Sequence, residues 1–252
     1  MTQNDFPNTL KTMSYNIHKG QGPAGLRFTL PEIREFLRLE AADIVFLQEA
    51  VGEHKGKKLN IDGFPNNNQV EYLAEDLYPY MIYGGNKHHR LGHHGNAILS
   101  RYPLEKVENH NISQNRFESR GLLHVTLDYH SEEIHLFNTH LNLLEKDRQK
   151  QIKWIQKHLD HELSEHHPVI LAGDFNDWRR RIIDFLHQET ALKEVFGNEK
   201  FDNPHSFPSF LPRLSLDRIF YKNLKLHEAV QFSGKKFKRL SDHLPLLAHF
   251  LV

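Results

Sequence analysis

Read by its hydrophobic and polar positions alone, the chain alternates short apolar runs with amphipathic segments. Thr9 to Ile17 reads as a first strand, and its polar tail of Asn16, His18 and Lys19 leads into a glycine-rich turn. Leu30, Ile33, Phe36 and Leu37 then recur at helical spacing, with Thr29 the expected N-cap, Glu32 three residues on, and Arg34, Glu35 and Arg38 left for water. The run DIVFLQE, residues 43 to 49, has the continuous apolar centre that a strand buried on both faces requires, and Gln48 and Glu49 stand where it emerges. A polar stretch from Gly52 to Asn68 is expected to be loop, before a short helix near Gln69 to Leu77 and strands beginning around Tyr80 and Gly95.

The middle of the chain is strand-rich. GNAILS, LLHVTLDY and EIHLFNTHL, starting at positions 95, 122 and 133, mix β-branched and aromatic residues, and Asp128 to Glu132 is the expected hairpin connection. Ile152, Ile155, Leu159 and Leu163 form one apolar stripe widened by Trp154, so Glu145 to Leu163 is predicted to be a helix lying on a sheet. PVILAGDFND, from 168, is a buried strand breaking at Gly173, and RLSLDRIFY and HLPLLAHFLV close the chain as strands. This order predicts an α/β (α+β) architecture of two sheets packed face to face with helices outside.

Composition narrows the picture. A chain of 252 residues that is 38% hydrophobic supplies a full core, and without a linker or low-complexity tract it is expected to form one domain over 1–252. Thirty-two basic residues balance thirty-two acidic ones, so net charge gives no strong pull toward nucleic acid or an anionic membrane. The run Lys235, Lys236, Lys238 and Arg239 is either solvated surface or a local substrate contact. The absence of cysteine removes disulfides, thiolate metal sites and cysteine nucleophiles together. With no basic, apolar leader and no run of membrane-span length, the expectation is a cytoplasmic monomer without a transmembrane segment.

The polar groups that demand explanation sit at the ends of apolar strands: FLQE ending at Glu49, FNTH at His140, LAGD at Asp174 and LSLD at Asp217. One such acid is ordinary at a solvated strand end. Four endings, joined by Ser241, Asp242 and His243, place acids and imidazoles along one rim if the strands lie side by side. Hard cations such as Mg²⁺ or Mn²⁺ take oxygen ligands and keep waters, leaving positions for phosphate oxygens. Glu49 and Asp242 suit that role, Asp174 and Asn176 the holding of a water, His140 and His243 the donation to growing negative charge, and Asp217 the fixing of an imidazole tautomer.

The segments MSYNIHKG (13 to 20), LQE (47 to 49), GNAILSR (95 to 101), NTHL (138 to 141), GDFND (173 to 177), LDRIF (216 to 220) and SDHLP (241 to 245) together resemble the ordered signature series of the endonuclease/exonuclease/phosphatase superfamily. The resemblance spans nearly the entire chain. It implies a four-layer α/β/β/α sandwich of DNase-I-like type and a divalent-metal-dependent phosphoric ester hydrolase acting on a phosphodiester, whether nucleic acid or a phospholipid or small-molecule headgroup. It further implies that Glu49 is the principal metal ligand with Asn16 nearby and Asp242 acting through water, that Asp174 orients or deprotonates the attacking water with help from Asn176, that His140 contacts phosphate, and that Asp217 holds His243. Whether His243 is base, acid or charge stabiliser stays open. His18 stands where abasic-site enzymes carry an Asp, which puts a second metal in doubt. HHGN, with His94 and Asn96, and SRG, with Arg120, resemble a little-described bacterial branch; Arg120 is either a phosphate fork or a surface salt bridge.

Three other readings are weighed. Gly20, Gly22 and Gly25 match a dinucleotide fingerprint, but Pro23 interrupts it and the helix begins too late to meet a pyrophosphate. His88, His89, His93 and His94 gather in one segment where zinc is conceivable, whereas HELSEHH, from 161, lacks the second zincin ligand. A non-catalytic member that binds a phosphorylated ligand or a protein on the same scaffold predicts loss of site residues, and only His18 departs from the pattern.

Overall fold

The computed structural model describes residues 9–25, 27–54, 68–89 and 92–252. In chain order the elements are β1 (Thr9–Asn16), α1 (Leu30–Glu40), β2 (Ile44–His54), α2 (Gln69–Ala74), β3 (Tyr80–His89), β4 (Gly92–Ser100), β5 (Leu104–Asn111), β6 (Gly121–Tyr129), β7 (Glu132–His140), α3 (Glu145–Glu162), β8 (Val169–Asp174), α4 (Arg181–Glu189), β9 (Lys193–Glu194), β10 (Asp217–Lys222), β11 (Lys225–Gln231) and β12 (Leu246–Leu251). They build two six-stranded sheets, ordered β11-β12-β1-β2-β4-β3 and β5-β6-β7-β8-β10-β9. Each sheet has one parallel pair near its centre, β1 with β2 and β7 with β8, and antiparallel neighbours elsewhere.

Three apolar layers hold the four structural layers together, as the sequence predicts. Leu10, Ile44, Phe46, Leu136, Ile170, Ala172 and Phe250 belong to the cluster between the sheets. Ile33, Phe36 and Leu37 of α1 and Val70 and Leu73 of α2 cover the outer face of the first sheet. Ile152, Ile155 and Leu159 of α3 with Ile182, Ile183 and Leu186 of α4 cover the second. Strand β8 shows why its sequence is uninterrupted by polar residues: Ile170 and Ala172 face the inner cluster and Val169 and Leu171 the outer one, so both faces are dry.

Several boundaries differ from the periodicity. Thr29 precedes α1, but its hydroxyl does not cap the helix; Oγ1 donates instead to the Leu240 carbonyl at 2.5 Å, tying the helix start to the segment before β12. Strand β2 continues to His54, beyond the expected start of the loop, and residues 55–67 of that stretch lie outside the described residues. Strands β5 and β11 carry no clear signal, whereas Ile182, Ile183 and Leu186 of α4 recur at helical spacing, a signal left unread. β5 is an almost wholly exposed edge strand, and α4 starts after Arg180 in the left-handed region with no side-chain cap. Gly20 and Gly25 end two short 3-10 turns and Gly22 lies between them, all before α1, so no helix N-terminus meets them.

Candidate active site

Strand periodicity delivers the polar groups. Because Leu10 of β1, Ile134 and Leu136 of β7, Ile170 and Ala172 of β8 and Ile219 of β10 point between the sheets, the residues an even number of positions away share that face. Asn16, His140, Asp174 and Asp217 therefore extend the inner rows into the polar end of the sandwich. Register aligns them as well: His140 stands beside Asp174 and Asp174 beside Asp217 across the second sheet, while Asn16 pairs with Gln48 across the first.

Glu49 reaches the same end by a different device. Leu47 and Ala50 both pack on the outer cluster, which strict alternation forbids. The register shifts between Leu47 and Ala50, and Glu49 has a φ of 56°. This bulge inserts one residue and turns Glu49 toward His140, with which it lines one slot. Gly173, just before Asp174, has a φ of 148°, and a Cβ there would lie 1.9 Å from the Thr139 carbonyl oxygen; only glycine lets β7 and β8 approach so closely.

Asp174 is the hub. Its Oδ2 accepts from Asn16 Nδ2 at 3.0 Å and lies 3.4 Å from His140 Nε2 and 3.6 Å from His243 Nε2. Its Oδ1 accepts from the Asn176 backbone N–H at 3.0 Å. Three nitrogens from three segments thus surround one carboxylate oxygen, Asn16 by a hydrogen bond and the two imidazoles just beyond it. His243 is held from behind by Asp217, Nδ1 to Oδ2 at 2.7 Å, and Ser241 Oγ donates to the Asn16 carbonyl at 2.7 Å, locking the SDH segment to β1. Asn176, with a φ of 51°, donates its side-chain amide to the Leu141 carbonyl at 3.0 Å, so it shapes the turn under Asp174.

Burial and partners then split the titrations. Burial raises the Asp174 carboxyl, and the neighbouring Asp217 charge adds to this against His243, to about 6. Burial opposes charge on His243, but Asp217 and Asp174 outweigh it and push the imidazole up to about 10. His140 goes the other way: burial, reinforced by the Arg120 guanidinium, holds it well below the ordinary histidine value. Burial would raise Glu49, yet His140, Lys19 and His18 outweigh it and keep it an anion well below the usual carboxylate range.

Two sets of groups in this end offer ligand atoms. Asp174, Asp217 and His243 have donor atoms within 4.8 Å of one another, but an imidazole pushed up to about 10 is a hydrogen-bonded cation, not a free ligand. Glu49 fits a hard cation better. Its buried Oε2 accepts no well-aligned hydrogen bond, and the Lys19 ammonium 2.8 Å away already stands as a positive charge against it. Mg²⁺ takes one or two carboxylates with the remaining positions left to water and phosphate, and Asn16 and Asp242 are the further oxygen donors that the sequence offers beside Glu49. Asn16 Oδ1 also accepts the His18 N–H at 3.1 Å, and His18 Nδ1 lies 3.7 Å from Asp242 Oδ1.

Beside Glu49 and His140 runs a slot lined by His94, Asn96 and Arg120, with about 10 Å³ of room, space for about one water. Arg120 makes a salt bridge, one nitrogen meeting Glu118 at 3.2 Å, and its Nε is buried without a hydrogen-bond partner. Asn96 is committed to structure, its amide reaching the Gly121 and Asn138 carbonyls at 3.1 and 3.3 Å. Of the histidine-rich segment, His94 lines this slot and His93 meets the Tyr83 hydroxyl at 2.8 Å; the side chains of His88 and His89 lie outside the described set.

Sequence reasoning missed the amide network beneath the site. Gln48 Nε2 donates to Asn138 Oδ1 at 2.8 Å, and Asn138 Nδ2 reaches the Leu47 and Ala97 carbonyls at 2.9 and 2.8 Å, stitching the two sheets together. The signal was present: Asn138 sits two residues before His140 on a strand, hence on the same face. Also unread were the exposed side chains of Phe117, Leu143, Leu144, Trp178, Phe210 and Leu211, all on the connections before β6, after β7, after β8 and before β10 that surround the site.

Comparison with known proteins agrees with this geometry. Residues 13–243 match the family model described as Endonuclease/Exonuclease/phosphatase family. The chain is 38% identical over 242 residues to "Uncharacterized protein YbhP" of Escherichia coli strain K12, covering 95% of each. Solved structures with this fold include an endonuclease/exonuclease/phosphatase from Beutenbergia cavernae, with TM-score 0.78, 20% identity and coverage of 97% of this chain and 72% of that one. D. rerio TDP2 complexed with single strand DNA product gives TM-score 0.72 at 18% identity, covering 97% and 99%. Among the described residues no helix is long and apolar enough to cross a membrane. The match over nearly the whole chain places this protein in the Endonuclease/Exonuclease/phosphatase family.

Proposed function

We propose that this protein is a divalent-metal-dependent hydrolase of phosphodiesters. The observation that carries the reading is the single oxygen of Asp174 facing Asn16, His140 and His243 at 3.0, 3.4 and 3.6 Å, beside a Glu49 kept anionic by its surroundings. Asp174, with a carboxyl raised to about 6, has a proton affinity near neutral operating pH, which suits a base that takes a proton from an in-line water. His243, pushed up to about 10, is charged at neutral pH and acts as donor to the growing charge on phosphorus oxygens, with Asp217 fixing its tautomer and position. Asn16 holds the Asp174 carboxylate in register, and neutral His140 and the Arg120 guanidinium flank the slot as phosphate contacts. Mg²⁺ or Mn²⁺ held by Glu49, with Asn16 and Asp242, would polarise the phosphate when bound.

The exposed apolar side chains around the site favour a diester that carries an apolar or aromatic body, either a phospholipid or stacked bases. A metal-supplemented screen of bis-p-nitrophenyl phosphate, p-nitrophenyl phosphate, plasmid DNA and sphingomyelin tests the assignment. Diester cleavage abolished by chelation and restored by Mg²⁺ or Mn²⁺ is expected, and inertness toward every diester would leave the non-catalytic ligand-binding reading instead. Salt separates the substrate classes, because a nuclease touching several phosphates loses affinity steeply as salt rises.

A further inference from the structure

On the outer face of the second sheet, under α3 and away from the strand ends described above, histidines gather again. His110 of β5, His124 of β6, His135 of β7, His158 of α3 and His167 form a continuous file, with neighbouring ring centroids 4.3 Å (His110–His158), 5.4 Å (His124–His158), 5.2 Å (His124–His135) and 4.7 Å (His135–His167) apart. Imidazoles stacked on imidazoles satisfy few of one another's nitrogens. His124 Nδ1 and His158 Nε2 are buried without a hydrogen-bond partner, although their side chains are only 4% and 9% exposed, and buried polar atoms ordinarily find partners.

Both orphan nitrogens aim at the same atom. Glu108 Oε2 lies 2.7 Å from His110 Nε2, 3.9 Å from His124 Nδ1 and 4.0 Å from His158 Nε2. Glu108, His110 and His158 place one donor atom each within 4.8 Å of one another. A tetrahedral zinc shell, with bonds of about 2.0–2.2 Å, needs donors about 3.4 Å apart. Side-chain motions of about an ångström close the difference, and Glu108 is exposed enough to move. Trp154 stacks on His158 with centroids 5.3 Å apart and an interplanar angle of 16°, fixing that ring. The companion group at the other end of the file, Glu133, His135 and His167, differs: both Glu133 oxygens already meet the Lys106 ammonium at 3.0 Å.

We propose that Glu108, His110 and His158 form a site for a zinc-class divalent cation, two imidazoles and one carboxylate with solvent completing the shell, that clamps the edge strand β5 to α3. Mixed imidazole and carboxylate donors favour such borderline ions over Mg²⁺. A cation there also ties down an otherwise exposed sheet edge.

Zinc chloride titrated into the metal-free full chain, followed by calorimetry and by competition with a chromophoric chelator, tests this. At least one zinc equivalent is expected in the wild type, and one is retained in Glu49→Gln, which separates it from the catalytic end. The double variant His110→Gln/His158→Gln is expected to bind that equivalent about 100-fold more weakly or not at all, with its Mg²⁺-supported diester cleavage unchanged. Unchanged zinc stoichiometry in the double variant overturns the site, as does loss of the equivalent in His167→Gln in its place. If the double variant does not fold, Glu108→Gln replaces it, and zinc-dependent shifts of the His110 and His158 ring nitrogens in NMR spectra of the wild type are the expected result; rings that do not respond overturn it.

Discussion

His243 at the strand ends and the buried histidines under α3 behave oppositely. At the ends of the strands His243 is pushed up to about 10 although burial opposes its charge, because Asp217 lies 2.7 Å away and Asp174 3.6 Å away. Under α3, burial and the adjoining imidazoles hold His124 down to about 3, and burial with His167 holds His135 down to about 4 against the Glu133 carboxylate 3.3 Å away. Burial acts alike in both places, so the partner decides the sign. Several carboxylates converging on His243 make it a fixed cation, whereas a single carboxylate opposed by a neighbouring imidazole leaves His135 a neutral packing group.

The largest effect comes from converting one kind of histidine into the other. Asp217→Asn removes the carboxylate behind His243, so its imidazole is expected to fall toward or below the ordinary value in an NMR titration, and diester cleavage to drop by about 10²–10⁴-fold. A His243 titration unchanged in that variant breaks the comparison. A second, smaller effect concerns stability in the file under α3. A histidine whose folded value is depressed contributes stability that is fully present above its unfolded value, near 6.5, and is lost as pH falls toward about 4 for His135 and about 3 for His124. His124→Phe, which keeps a ring against Phe137, should therefore lose less stability than the wild type between pH 6.5 and 4 in chelator. The expected difference is at least about 1 kcal/mol, about 2–4 °C in Tm, and parallel melting curves across that window contradict it. The smallest effect is at Glu49. Lys19→Met removes the ammonium 2.8 Å from its carboxylate, so the Mg²⁺ concentration for half-activation should fall about two- to fivefold, the worth of a partly exposed ion pair; a rise would show that Lys19 supports the metal instead of competing with it.

The same contrast explains what was legible in the sequence. Asn16, His140 and Asp174 were readable because each ends an apolar strand whose period of two fixes its face; Asp217 was read as a strand end but opens β10, and register sets it in one row with His140 and Asp174. The four layers were readable for the same reason, since β8 must be dry on both sides and α3 on one. Glu49 was readable as a polar strand end, but its route to the site was not, since a bulge with a left-handed residue leaves no mark in hydrophobicity. Edge strand β5 hid its identity and that of the histidine file, because Glu108 and His110 sit in a run with no apolar alternation and meet His158 only through tertiary packing. Thr29 looked like a helix cap and instead serves the Leu240 carbonyl, a long-range partner that local pattern cannot reveal.

The central claim is that Asp174 stands where a water attacks phosphorus. Hydrolysis of bis-p-nitrophenyl phosphate with saturating Mg²⁺, measured for the wild type and for Asp174→Asn with matched circular dichroism, tests it most directly. A fall of about 10³-fold in kcat is the predicted result, and equal rates in the two proteins would contradict it.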